Sequence, residues 1–115
     1  LFVPKIPSYK LTDLIKALMP SKKIKIIGIR PGEKIHEEMI SLDEARNTIE
    51  FNKLFVVLPR SLFKNRKFEK KLLEKIGKFK SCKSSFSYKS NTNKDFLKPI
   101  EIKKIVEQNK EDIFF

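Results

Sequence analysis

Gly28-Ile29-Arg30-Pro31-Gly32-Glu33-Lys34-Ile35-His36-Glu37-Glu38-Met39-Ile40-Ser41 is the stretch on which the reading of this chain turns. In front of it, Lys25-Ile26-Ile27-Gly28-Ile29 has the apolar density of a short buried strand. Behind it, Lys34 to Met39 reads as one or two helical turns. Between them, Arg30-Pro31-Gly32-Glu33 predicts a tight turn, because proline fixes one φ angle and glycine accepts a positive one. A turn at a strand end presents a cation and a carboxylate to one small region of space. The fork of Arg30 suits a phosphate bidentately. The carboxylate of Glu33 suits sugar hydroxyls. An arginine and a glutamate three residues apart also pair with each other at a surface, so these four residues alone leave both roles open.

The rest of the chain narrows the choice. Its 115 residues are enough for one small domain. It begins Leu1-Phe2-Val3-Pro4-Lys5, as if inside a strand, and so reads as the tail of a longer protein. The net charge is +12, which favours polyanionic partners. Against a nucleic-acid surface, the arginines are only Arg30, Arg46, Arg60 and Arg66, and the lysines are spread along the chain with Ile, Asn and Phe, an overall compositional bias rather than arginine and aromatics interleaved on one face. Cys82 is the single cysteine, so no internal disulfide forms, and one thiol with one histidine builds no metal site. This suits a reducing cytoplasm. No apolar run approaches the roughly 20 residues of a membrane-spanning helix.

Leu1 to Lys5 reads as an edge strand limited by Pro4 and Pro7. Thr12 is a candidate N-cap, with Asp13 in the first turn and Leu14, Ile15, Leu18 and Met19 on one helical face. Ser41 and Glu44 have capping-box spacing, which starts a short helix. Thr48 to Phe51 alternates as a strand. Leu54 to Pro59 is the clearest strand, apolar enough to be buried on both faces. Phe68, Leu72, Leu73, Ile76 and Phe79 predict a helix over 66–79. Phe86 to Ser90 alternates weakly, and Pro99 stands well at the first turn of a helix that buries Ile102, Ile105 and Val106. The sum is an α/β chain of small mixed strands and helices. It contains no Gly-rich phosphate loop and no Tyr-x-x-x-Lys pair.

Several blocks in order carry a resemblance: Phe2-Val3-Pro4-Lys5-Ile6-Pro7-Ser8, Thr12-Asp13-Leu14, Ile27 to Ser41, Asp43 to Thr48, Val56-Val57-Leu58-Pro59, and Phe86 to Asn93 with Phe96-Leu97. Together they resemble the C-terminal part of the UDP-N-acetylglucosamine 4,6-dehydratases, of the extended short-chain dehydrogenase family of polysaccharide biosynthesis proteins. The last block is most similar to the inverting branch, which serves pseudaminic acid and flagellin glycan synthesis. The resemblance thins between Arg60 and Ser85, and Phe96 stands where it would place a tryptophan.

The resemblance implies a Rossmann-type enzyme whose N-terminal NADP-binding domain lies outside residues 1–115, which form the substrate-binding region. It implies a lyase with internal oxidation and reduction, no metal, UDP-N-acetylglucosamine as substrate, a homo-oligomeric whole enzyme and a cytoplasmic setting. Arg30 would hold the diphosphate and Glu33 the uridine ribose, with Lys25 facing the same site. No catalytic residue is expected in this chain, which alone would be inactive. His36 reads as a packing residue, Glu37 and Glu38 as salt-bridge partners, Cys82 as inert, and Tyr88 as an interface residue. Ser8 and Tyr9 are weak candidates for a cleft lining. Two other readings stay open: a free-standing basic nucleic-acid module, resting on charge alone, and a remnant without function.

Overall fold

Leu54-Phe55-Val56-Val57 forms an inner strand of the four-stranded sheet, as its β-branched and aromatic residues predict. The computed structural model describes residues 1–59, 70–71 and 73–110. Strand β1 (Phe2–Pro4) opens the chain, followed by helix α1 (Leu11–Leu18), β2 (Glu38–Ile40), α2 (Leu42–Ala45), β3 (Thr48–Glu50) and β4 (Leu54–Val57). Then come β5 (Lys80–Ser81), β6 (Tyr88–Lys89) and α3 (Pro99–Gln108). Four strands form a sheet in the order β1-β4-β3-β5, and β2 pairs with β6 in a separate ribbon. All these strand pairs are antiparallel. The chain divides into two compact units, Leu1–Ile6 with Glu38–Thr92, and Pro7–Glu37 with Asn93–Phe115.

The first unit carries the sheet. Phe55 and Val56 are both buried, and as neighbours on a strand they point to opposite faces. Each face therefore has its own core. Phe55 packs with Val3, Ile40 and Tyr88, while Val56 packs with Ile49, Phe51 and Leu73. The phenyl ring of Phe55 lies 5.1 Å from the rings of both Phe86 and Tyr88. Tyr88 sits in this core, and its hydroxyl accepts from the Ile6 N–H at 2.9 Å and donates to the Ile6 carbonyl at 2.8 Å. A phenol thus satisfies both polar groups of one backbone residue 82 positions away. The capping box holds: Ser41 Oγ accepts from the Glu44 N–H, and Glu44 Oε2 accepts from the Ser41 N–H at 3.0 Å. Buried Thr48 donates its hydroxyl proton to the Glu44 carbonyl at 2.7 Å.

In the second unit α1 packs against α3. Pro99 is at the start of α3, and the Glu101 carboxylate accepts from the Lys98 N–H ahead of it. Ile102 is buried, Val106 half-buried and Ile105 more exposed. Helix α1 begins at Leu11 and is capped at Lys10 without a side-chain bond, so Thr12 is inside the helix and not its N-cap. Ser8 bridges to Phe96, and Asn93 Nδ2 donates to Ser8 Oγ at 3.1 Å.

Two further local expectations fail. Lys25 to Ile29 is not a strand: residues 23–30 have no regular structure, and Ile26, Ile27 and Ile29 are 82%, 70% and 59% exposed. Lys34 to Met39 is not a helix. Residues 35–36 form a bend, and Glu38 enters β2, where pairing with β6 satisfies the backbone in place of helical bonds. The helix expected over 66–79 is described in part: residues 70–71 and 73–74 are helical, the chain turns at 75–76, and Phe79 has left the helix, while 66–69 and 72 lie outside the described residues.

Candidate functional site

The turn at residues 30–33 forms as its sequence predicts. Pro31 occupies the second position, Gly32 takes φ +83° at the third, and the Glu33 N–H donates to the Arg30 carbonyl at 3.1 Å. This is the pattern of a type II turn, in which the third residue must accept positive φ. The Glu33 side chain folds back over the turn. Its Oε2 accepts from the Arg30 N–H at 3.0 Å, and its Oε1 lies 3.8 Å from Arg30 Nε. The Arg30 side chain is 73% exposed and that of Glu33 50%. The structure brings these two residues together and presents both to solvent. The ion pair is long and solvated, a kind that contributes little to stability. The turn leaves the guanidinium exposed beside the carboxylate.

Lys25 lies in the same exposed unstructured run, and no ion pair joins it to Glu33. It is therefore not drawn into the Arg30–Glu33 turn by direct contact. His36 is exposed at the bend and belongs to neither buried core of the first unit. Glu38 pairs with Lys89 at 3.2 Å, as a salt-bridge partner. Cys82 is half-buried beside the Phe55 core. Burial first, and the nearby Glu50 carboxylate second, push its thiol pKa up, which keeps it protonated and unreactive. Among the described residues no group of three or more His, Cys, Asp or Glu side chains is placed to hold a metal ion. No described helix is long and apolar enough to cross a membrane.

Sequence reasoning missed a charged cluster in the first unit. Glu50 on β3 is bridged by Lys5 at 2.7 Å and by Lys80 at 3.1 Å. Glu50 and Lys80 stand directly opposite each other across β3 and β5, and Lys5 follows the edge strand β1. Lys5 also lies 4.9 Å from the centre of the Phe55 ring. The three residues are 45 and 30 positions from one another in sequence (5, 50, 80), so no spacing signal announces them. The hydrogen bond from Lys5, aided by Lys80, holds the Glu50 carboxyl below its ordinary value, outweighing the opposing effect of burial. A lowered carboxyl pKa adds stability that is present above the ordinary value of 4.5 and is lost as pH falls below it. Glu50→Gln is expected to cost about 1–2 kcal/mol at neutral pH. It is also expected to flatten the fall in stability on acidification, read by denaturant unfolding on both sides of pH 4.5. Equal acid sensitivity in the two proteins would remove Glu50 as a source of it.

With this geometry in place, relatives can be compared. The chain is 42% identical over 108 residues to a UDP-N-acetylglucosamine 4,6-dehydratase (inverting) of Campylobacter jejuni serotype O:2, covering 92% of this chain and 32% of that protein. It is 38% identical over 106 residues to the enzyme of the same description from serotype O:23/36, with the same coverage. An uncharacterized membrane protein of Methanocaldococcus jannaschii is 36% identical over 77 residues, which is 57% of this chain and 23% of that protein. The chain thus spans about a third of the length of the curated dehydratases it matches. Among solved structures, Pen from Bacillus thuringiensis aligns over 95% of this chain and 31% of its own, with a TM-score of 0.66 at 23% identity, which shows a shared fold. Residues 1–59, just over half of the sequence, match the family described as polysaccharide biosynthesis protein, and the chain belongs to that family.

Proposed function

We propose that this chain is the C-terminal substrate-binding region of an inverting UDP-N-acetylglucosamine 4,6-dehydratase, acting in surface-polysaccharide or flagellin-glycan (pseudaminic acid) synthesis. The observation that carries this is the Arg30–Glu33 turn, which presents a phosphate-binding fork and a hydroxyl acceptor side by side. The family membership and the similarity to the Campylobacter enzymes support it. In this reading Arg30 binds the diphosphate, Glu33 accepts from the uridine ribose, and Lys25 adds positive charge to the approach.

The residues present do not fit a dinucleotide. A dinucleotide loop joins a strand to a helix N-terminus through clustered glycines. Gly28 and Gly32 instead lie in irregular chain that leads into strand β2. In this reading NADP, which would supply hydride removal and return, is held by a domain outside residues 1–115. Proton and hydride transfer also fall outside them, and this chain orients the sugar nucleotide. The working enzyme is read as a cytoplasmic homo-oligomer.

The test is to incubate the intact gene product with UDP-N-acetylglucosamine and NADP and follow the sugar by proton NMR. Loss of water across C5 and C6 followed by hydride return converts the C6 hydroxymethyl group to a methyl, so a new methyl doublet is expected. Unchanged substrate with intact, folded protein would overturn the proposal.

A further inference from the structure

We infer that Ile24-Lys25-Ile26-Ile27 is a docking strand whose partner is a β-strand edge in the part of the same protein outside residues 1–115, an edge with apolar side chains and carboxylates opposite the lysines. The inference rests on the reading of this chain as one region of a longer dehydratase.

Neither the side chains nor the main chain of this run have partners. Ile26 is the most exposed large apolar side chain among the described residues, and Ile27, Ile29 and Ile35 are exposed as well. In a strand, Ile24 and Ile26 share one face and Ile27 takes the other, so both faces ask for apolar cover. Among the described residues no main-chain hydrogen bond joins residues 23–29 to another main-chain group. Such bonds stop at Lys22, whose N–H donates to the Met19 carbonyl, and resume at the Arg30 carbonyl. Gly28 takes φ +83°, which ends a regular strand at Ile27 and turns the chain toward Arg30. Pairing of residues 24–27 thus anchors the chain three residues before the candidate site.

Adding a strand to a sheet edge meets both needs at once, because the main chain pairs while alternate side chains are covered. A lipid surface covers the isoleucines but offers no hydrogen bonds to an extended backbone. A second copy brings the same cations: Lys22, Lys23, Lys25 and Arg30 surround the isoleucines, no acidic residue stands between Asp13 and Glu33, and the chain carries a net charge of +12. An edge bearing carboxylates opposite Lys23 and Lys25 is the complementary partner. Its source is the remainder of the protein. The dehydratases that this chain matches are about three times as long, and Pen extends well beyond the 31% that aligns.

The test is hydrogen exchange read by mass spectrometry on the intact gene product, without substrate. The amides of residues 24–27 are expected to exchange about a hundredfold or more slowly than in open chain, at every protein concentration. Ile27→Lys is expected to reduce that protection by about tenfold or more while strand β4 keeps its own. Carbodiimide coupling is expected to join Lys23 or Lys25 to a carboxylate outside residues 1–115. The inference fails if residues 24–27 exchange as open chain, or if Ile27→Lys leaves their protection unchanged. It also fails if protection is lost on dilution, which assigns the run to a second copy, or needs added vesicles of anionic lipid. Coupling confined to carboxylates within residues 1–115 overturns it too. No substrate enters this test, so its failure beside a methyl doublet from the same protein overturns this inference alone. A gene product of 13.5 kDa overturns both readings.

Discussion

Under the proposed function, replacing Arg30 by alanine is expected to raise the dissociation constant of the intact gene product for UDP-N-acetylglucosamine by roughly tenfold to a hundredfold. A hydrogen bond to a charged group contributes about 1.5–3 kcal/mol, and about 1.4 kcal/mol is tenfold in affinity. The loss should be confined to binding. The Arg30 side chain is largely exposed, and the turn beneath it is set by Pro31, by Gly32 at positive φ and by main-chain bonds. Stability should therefore change by no more than about 0.5 kcal/mol. Arg30→Lys keeps the charge but loses the planar fork, and should recover only part of the affinity. Titration calorimetry with the substrate reads all three proteins. An unchanged constant in Arg30→Ala would remove this residue from the site and leave the Arg30–Glu33 contact as a surface pair.

The largest effect on stability is expected at Phe55. Phe55 is 5% exposed, and it packs with Val3 and Ile40, the rings of Phe86 and Tyr88, and the ammonium of Lys5. Truncation of such a phenylalanine costs about 3–5 kcal/mol in lost transfer energy and cavity formation. Small domains have only about 5–15 kcal/mol to lose. Phe55→Ala should lower the melting temperature by more than about 10 °C or abolish the cooperative transition. Phe2→Ala is the matched control: Phe2, on the edge strand β1, pairs with Val56 but is 65% exposed. It should cost far less. Similar losses in the two variants, measured by thermal unfolding, would mean that Phe55 is not the centre of that core.

Elements whose hydrogen bonds close within a few residues were legible in the sequence. The Ser41–Glu44 capping box, the Arg30–Glu33 turn and the Pro99 start of α3 each rest on contacts three residues apart. Strand β4 was legible for another reason: four consecutive apolar residues bury two faces at once. The cation–carboxylate pair of the candidate site was visible because a single turn holds it. The role of that pair came from resemblance, since Arg-Pro-Gly-Glu is equally consistent with a surface ion pair.

Tertiary structure decided what depends on distant partners. Residues 38–40 became a strand because Tyr88 and Lys89, about fifty positions on, supplied the hydrogen bonds that a local helix would otherwise have made. The Lys5–Glu50–Lys80 cluster exists only because strands β1, β3 and β5 lie in one sheet. The hydroxyl of Tyr88 could not be assigned to Ile6 from any periodicity. The Ile26–Ile29 run shows the converse. Apolar composition states that a segment gains by burial, but burial needs a facing surface, and these isoleucines stay exposed. The turn, the Ser41–Glu44 cap, strand β4 and the family likeness were readable from the residues alone, because each is carried by neighbours along the chain, whereas the Thr12 cap was not. The fold alone determined which remote side chains share a core or a charge cluster, because those contacts form only after the chain has closed its long loops.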